Sequence, residues 1–137
     1  MTKSSNATTC RNNRKEVAAT PENFPHQGEI FYVNRGTTGS TGSEQWSDRY
    51  AVILSCNQFN RTSPIVVVAY ITTRNKRALS INVDISLPRK HRVVLCDQIY
   101  AVDKSRLEQC TGTVTEQQLK QIKKVLSKFY DLEERSA

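Results

Sequence analysis

Two apolar runs of strand character, residues 50–55 and 65–71, dominate the hydrophobic pattern of the chain. Each has a polar group at one end: Arg49 just before the first, Thr72 and Thr73 just after the second. Paired as an antiparallel hairpin, the two runs bring Arg49 and Thr72 to the same end of a sheet. A polar loop, residues 43–48, leads into the arginine. A permanent cation beside a hydroxyl and a loop rich in hydrogen-bonding groups suits a phosphate better than a sugar or an apolar ligand.

The pattern before this hairpin predicts a first strand over residues 29–33, where Ile30, Phe31, Tyr32 and Val33 have high β propensity. Residues 34–48 form a long Gly/Thr/Ser-rich loop, a length often kept for function. Residues 56–64 connect the hairpin, with Asn57, Asn60, Ser63 and Pro64 supplying turn chemistry. A second polar loop, 73–80, carries Arg74, Lys76 and Arg77. Residues 81–87 alternate apolar and polar without a break, the mark of a strand with one wet face. Two further runs, 92–96 and 98–102, are separated by Asp97. A single turn over 103–107 and a short strand over 111–114 follow.

Residues 115–132 read as the one clear helix. Thr115 and Gln118 have capping-box spacing, and Leu119, Ile122, Leu126 and Phe129 recur on one face, widened by Val125 and Leu132. Such a helix is expected across one end of a barrel, with its lysines in solvent. The whole is a mainly β pattern with some α: a small, strongly curved antiparallel sheet or SH3-like barrel with a C-terminal helix. Residues 1–27 are polar and aperiodic and read as a flexible N-terminal arm; the domain is expected over 28–137.

A chain of 137 residues is the size of one ordinary domain. Its formal charge of +7 favours a polyanionic partner, nucleic acid or an acidic protein, though solubility alone accounts for such a value as well. The arm contributes four basic and two acidic residues, so most of the excess belongs to the domain. Cys10, Cys56, Cys96 and Cys110 have no CxxC spacing, which argues against zinc. No segment has the apolar length of a membrane span or a signal h-region. A cytoplasmic protein with reduced thiols is the expectation.

The chemistry available is limited. The only histidines are His26, in the arm, and His91, in a basic turn, so a two-histidine ribonuclease site is excluded in practice. Glu44, Asp48, Asp84, Asp97 and Asp103 are scattered singly, and no phosphate-binding or nucleophile-elbow motif is present. An enzyme built on this chain is therefore expected to need no metal or cofactor. RNA cleavage can proceed in that way, since the substrate carries its own nucleophile in the 2′-OH and the protein aligns it and stabilises charge on the phosphate. Arginine suits charge stabilisation. It is a poor general base, its pKa lying above about 12. Taken alone, an arginine at a strand start is more often a surface ion-pair partner, and a threonine at a strand end is ordinary.

Several stretches in order resemble the MazF/PemK family of toxins from bacterial toxin–antitoxin pairs. Gly28-Glu29-Ile30-Phe31-Tyr32 resembles the family's opening strand, and Gly42-Ser43-Glu44-Gln45 followed by Arg49 resembles its first loop. Asn60-Arg61-Thr62-Ser63-Pro64 resembles the turn before the third strand, and Ile71-Thr72-Thr73 its end. Leu95-Cys96-Asp97-Gln98-Ile99 and Asp103-Lys104-Ser105-Arg106-Leu107 resemble the late strand and turn.

The resemblance implies a twisted SH3-like sheet and a homodimer that cuts single-stranded RNA at short sequences without a metal. It further implies 2′,3′-cyclic phosphate and 5′-hydroxyl ends and a cognate acidic antitoxin. It places the catalytic arginine on Arg49 and the catalytic threonine on Thr72. Ser43 and Glu44 fall near the scissile phosphate, and Gln98 at a position associated with RNA contacts. Trp46 is a candidate for stacking on a base or for capping the barrel. Arg74, Lys76 and Arg77, with Arg89, Lys90 and Arg92, are candidates for tracking the RNA backbone or for a solvated basic rim.

The chain departs from the family pattern in having Arg49-Tyr50 for Arg-Pro and Trp46-Ser47-Asp48 where the family has glycines. Two rival readings stand beside the ribonuclease: a non-catalytic binding toxin, as in the structurally related gyrase poisons, and a weakened relative that binds RNA or antitoxin without turnover.

Overall fold

The structure is a computed structural model, and it describes residues 23–34, 49–72, 82–85 and 92–132. Six strands among them form one antiparallel sheet: β1 (Glu29–Val33), β2 (Arg49–Ile53), β3 (Ile65–Thr72), β4 (Asn82–Asp84), β5 (Val93–Asp103) and β6 (Leu107–Thr113). The order across the sheet is β4-β5-β3-β2-β1-β6. A short helix α1 (Asn57–Thr62) joins β2 to β3, a 3-10 turn (Lys104–Arg106) joins β5 to β6, and helix α2 (Glu116–Phe129) follows. This is the curled antiparallel sheet with a C-terminal helix that the pattern predicts.

β2 and β3 lie in the middle of the sheet and are buried on both faces, which is why their sequences read as near-continuous apolar runs. Ala51, Ile53, Val66, Val68 and Tyr70 contribute to one core with Phe31 and Val102. Val52, Ala69 and Ile71 face the other core, where Ile122 and Val125 of α2 pack with Val83 and Val94. Side-chain alternation therefore puts Arg49 and Thr72 on the face of the first core.

The curl has local causes. Between β3 and β5 the register jumps from Ala69↔Ile99 to Ile71↔Val94, so that residues 95–98 of β5 are set against one residue of β3. Such an insertion bends the strand and re-aims the side chains that follow it. Two smaller shifts interrupt the β1–β6 pairing. At the entry to β1, Gly28 has φ +94, a conformation that glycine adopts without strain. Its N–H donates to Ile53 and its carbonyl accepts from Val114, which ties β2 to the segment before α2. Pro25, just before it, is fully buried.

Several details differ from the sequence-based expectation. Residues 56–64, read as a turn, contain α1. The turn residues are used by that helix instead: the fully buried Asn60 donates to the Ser55 carbonyl and accepts from the Ser55 hydroxyl, and Ser63 Oγ accepts from Ile65 N–H. Asp97 does not separate two strands, because the extra residues are taken up as a bulge within a continuous β5, with Leu95 and Cys96 buried and Asp97 exposed. The capping box forms, with Thr115 and Gln118 exchanging hydrogen bonds of 2.9 and 3.0 Å.

The apolar stripe of α2 ends at Leu126, since Phe129 and Leu132 are exposed. There the helix closes with Asp131 at φ 58, with Asp131 N–H on the Lys128 carbonyl and Leu132 N–H on the Ser127 carbonyl. Cys110 is disulfide-bonded, against the expectation of reduced thiols throughout, whereas Cys56 and Cys96 are free. Among the described residues no helix is long and apolar enough to cross a membrane.

Candidate functional site

Strand register assembles the site. Ala51↔Tyr70 and Val52↔Ala69 pair β2 with β3, and continuing that register by two residues sets Arg49 across from Thr72. On its other side Arg49 pairs with Val33 of β1, and Thr72 pairs with Val93 of β5. The hairpin expected from the two apolar runs is thus formed, and its polar ends meet. Thr72 is 9% exposed and Arg49 is half-buried, so both side chains sit at the rim of the first core.

Two contacts orient the guanidinium. Arg49 Nη1 donates to Gln98 Oε1 at 3.4 Å, a long hydrogen bond that reaches from β2 to the bulged stretch of β5. The Arg49 Cζ also lies 5.7 Å from the centroid of the Tyr70 ring, a cation–π contact. Tyr70 is buried and its ring stands 5.2 Å from that of Tyr100, centroid to centroid. Arg49, Thr72 and Gln98, three of the sequence-predicted residues, are therefore brought together. Tyr70 is unmarked in the sequence, lying inside an apolar run, although its position two residues before Thr72 puts it on the same face. Ser43, Glu44, Trp46, Arg74, Lys76 and Arg77 lie outside the described residues, as do Arg89, Lys90 and His91.

Tyr50 turns to the opposite face. There its ring meets Tyr32 edge-on at 5.1 Å, and the Arg92 guanidinium lies over it at 5.2 Å. Side-chain packing on that face holds the backbone next to Arg49. Arg92 accordingly belongs to this clamp rather than to the Arg49 face.

Three other titratable groups, Cys96, Asp103 and Lys104, depart from their ordinary values. Burial, with a smaller contribution from the charge of Asp97, pushes the Cys96 thiol up to about 11, so it stays protonated at neutral pH. Hydrogen bonds from Ser105 hold Asp103 below the usual carboxylate range, and burial lowers Lys104. Among the described residues no group of three His, Cys, Asp or Glu side chains could hold a metal ion. The arrangement offers a fixed cation, a hydroxyl and an amide at one end of the central strands of a curled sheet.

Comparison with known proteins places the chain in a family. A family model described as the PemK-like, MazF-like toxin of type II toxin–antitoxin systems matches residues 26–130. The endoribonuclease MazF of Staphylococcus saprophyticus is 33% identical over 101 residues, spanning 70% of this chain and 82% of that protein. MazF of Deinococcus radiodurans superposes with a TM-score of 0.66 at 23% identity, covering 79% of this chain and 97% of the other. A mycobacterial endoribonuclease, solved in complex with its cognate antitoxin, superposes with a TM-score of 0.66 at 22% identity, covering 81% and 99%. By the extent of the family match and the identity to the staphylococcal protein, the chain belongs to the PemK-like, MazF-like toxin family of type II toxin–antitoxin systems.

Proposed function

We propose that this toxin is a sequence-specific endoribonuclease that cuts single-stranded RNA by attack of the 2′-OH on the adjacent phosphate, without a metal. The observation that carries the proposal is the meeting of Arg49, Thr72 and Gln98 at one end of the β2–β3 hairpin. The staphylococcal relative's activity as an endoribonuclease supports the same reading.

In this mechanism Arg49 offers paired N–H donors to the scissile phosphate and offsets the charge that grows on its oxygens as the 2′-oxygen approaches. Thr72 donates its hydroxyl to a non-bridging oxygen. Gln98 holds the guanidinium from the side, so that its remaining donors face the substrate. The 2′-oxygen forms its bond to phosphorus as the bond to the 5′-oxygen breaks. The 2′-hydroxyl proton passes to water and the leaving 5′-oxygen takes a proton from water, with Arg49 assisting the transfer through its hydrogen bonds to the phosphate oxygens. The products are a 2′,3′-cyclic phosphate and a 5′-hydroxyl. Ser43, Glu44 and Trp46 would complete the RNA contacts from the first loop, and Arg74, Lys76 and Arg77 would follow the backbone from the second.

The same proposal includes a homodimer, a cognate antitoxin with an acidic segment, and a cytoplasmic setting. The formal charge of +7 supports an acidic partner. The test is the chemistry of the cut ends. Purified protein incubated with single-stranded RNA in EDTA is expected to yield fragments whose masses carry a cyclic phosphate on one side and a hydroxyl on the other. Fragments with 5′-phosphates would refute the mechanism, and binding without any cut would favour a non-catalytic toxin.

A further inference from the structure

We infer that Tyr100 is a base-stacking platform, which seats the base of a nucleotide next to the phosphate held at Arg49. The inference rests on the proposed action on single-stranded RNA and adds the residue that would grip the base.

Tyr100 is among the few large apolar side chains left open in the described structure, at 40% exposed. It lies on β5 opposite Val68, two residues after Gln98 and two before the buried Val102. Alternation therefore puts Gln98, Tyr100 and Val102 on one face, the face of Arg49 and Thr72. The ring is not loose. It tilts at 41° against Tyr70, 5.2 Å away, and Tyr70 is 3% exposed. The guanidinium of Arg49 stands over that same buried ring.

One buried tyrosine thus supports both the cation and the open ring. The result is a short series leading outward: phosphate-binding cation, buried aromatic, exposed aromatic. A strand lying with a phosphate on Arg49 needs only one nucleotide's reach to bring a base over Tyr100. An exposed ring held from beneath is what single-strand binding uses, because every base has a π face and stacking excludes water from both. Double-stranded nucleic acid would not fit this use, since its bases are already stacked on one another.

The experiment compares binding to two uncleavable strands of equal length. One is single-stranded DNA of randomised sequence, and the other is the same sugar–phosphate chain without bases. The full chain is used as wild type, Tyr100→Ala, Tyr100→Phe and Tyr100→Trp, at one salt concentration. Tyr100→Ala is expected to weaken binding of the base-bearing strand about ten-fold while leaving the abasic strand within about two-fold. The phenylalanine and tryptophan variants should restore base-bearing binding. On RNA, Tyr100→Ala should raise KM more than it lowers kcat and should broaden the choice of cleavage sites.

Equal losses on both strands, no loss, or a changed sedimentation coefficient in place of a binding change would overturn the inference. The last result would mean that Tyr100 faces another protein chain. Wild type that cuts RNA while Tyr100→Ala binds normally sinks this inference alone. Wild type that binds bases through Tyr100 and never cuts sinks the nuclease and leaves the platform. Wild type that binds neither strand and leaves RNA uncut sinks both.

Discussion

Arg49 donates from Nη1 to Gln98 Oε1 at 3.4 Å, joining the start of β2 to the bulged stretch of β5. The contact is long for a hydrogen bond. Gln98→Leu keeps the bulk but removes the acceptor. It is expected to lower kcat for RNA cleavage about 10- to 100-fold through misplacement of Arg49, with the far-ultraviolet circular dichroism unchanged. Gln98→Glu keeps an acceptor and should recover part of the rate. Single-turnover kinetics of the two variants decide the matter.

Tyr50 does by packing what proline does by covalent geometry. A proline after the arginine would set φ at that position, and here the Tyr32 ring and the Arg92 guanidinium hold the tyrosine instead. Tyr50→Ala should therefore lose both stability, by about 1–3 kcal/mol, and cleavage rate. Tyr50→Phe should keep both. Urea denaturation measured beside cleavage tests this, and a stability loss with full activity per folded molecule would contradict the clamp.

Much of the site can be read in advance because the period of a strand is two. Once residues 50–55 and 65–71 pair as a hairpin, the meeting of Arg49 and Thr72 follows from their places at the ends of those runs. The bulge in β5 is less legible, because an extra stretch around Asp97 looks in sequence like a break between strands. Helix α1 is hidden for a related reason. Asn60 and Ser63 are turn formers that serve equally well to satisfy a short helix from the side. Tyr70 sits in an apolar run and reads as plain core, and its ring contacts are what show that it supports Arg49 and Tyr100.

Asn60 is fully buried, exchanging hydrogen bonds with Ser55, whose hydroxyl also accepts from the Val67 N–H. Removing one member of such a network leaves buried polar groups unmet. Asn60→Ala is expected to cost about 2–3 kcal/mol of folding free energy. Asn57→Ala, by contrast, removes a hydrogen bond between exposed groups, to the Gln27 N–H, and should cost under about 1 kcal/mol. Chemical denaturation of the two variants makes the comparison.

The free thiols should differ in reactivity and in their effect on stability. Cys56 is exposed, whereas burial raises the Cys96 thiol to about 11 from an ordinary value of 9.0. A native-state alkylating agent near pH 8 should label Cys56 and spare Cys96. The folded state holds the Cys96 proton more tightly than the unfolded chain does. Its contribution to stability is therefore fully present below pH 9 and is lost as pH rises towards 11. Cys96→Ala should flatten that alkaline decline. Denaturation midpoints between pH 8 and 11 measure it.

Arg49 is expected to meet the scissile phosphate. The most direct measurement is cleavage of single-stranded RNA in EDTA by purified wild type and Arg49→Ala, with folding of both confirmed by their thermal transitions. Wild type is expected to cut at discrete sites, and the variant to lose at least about 100-fold in rate without losing its fold. Undiminished cutting by folded Arg49→Ala would contradict the account.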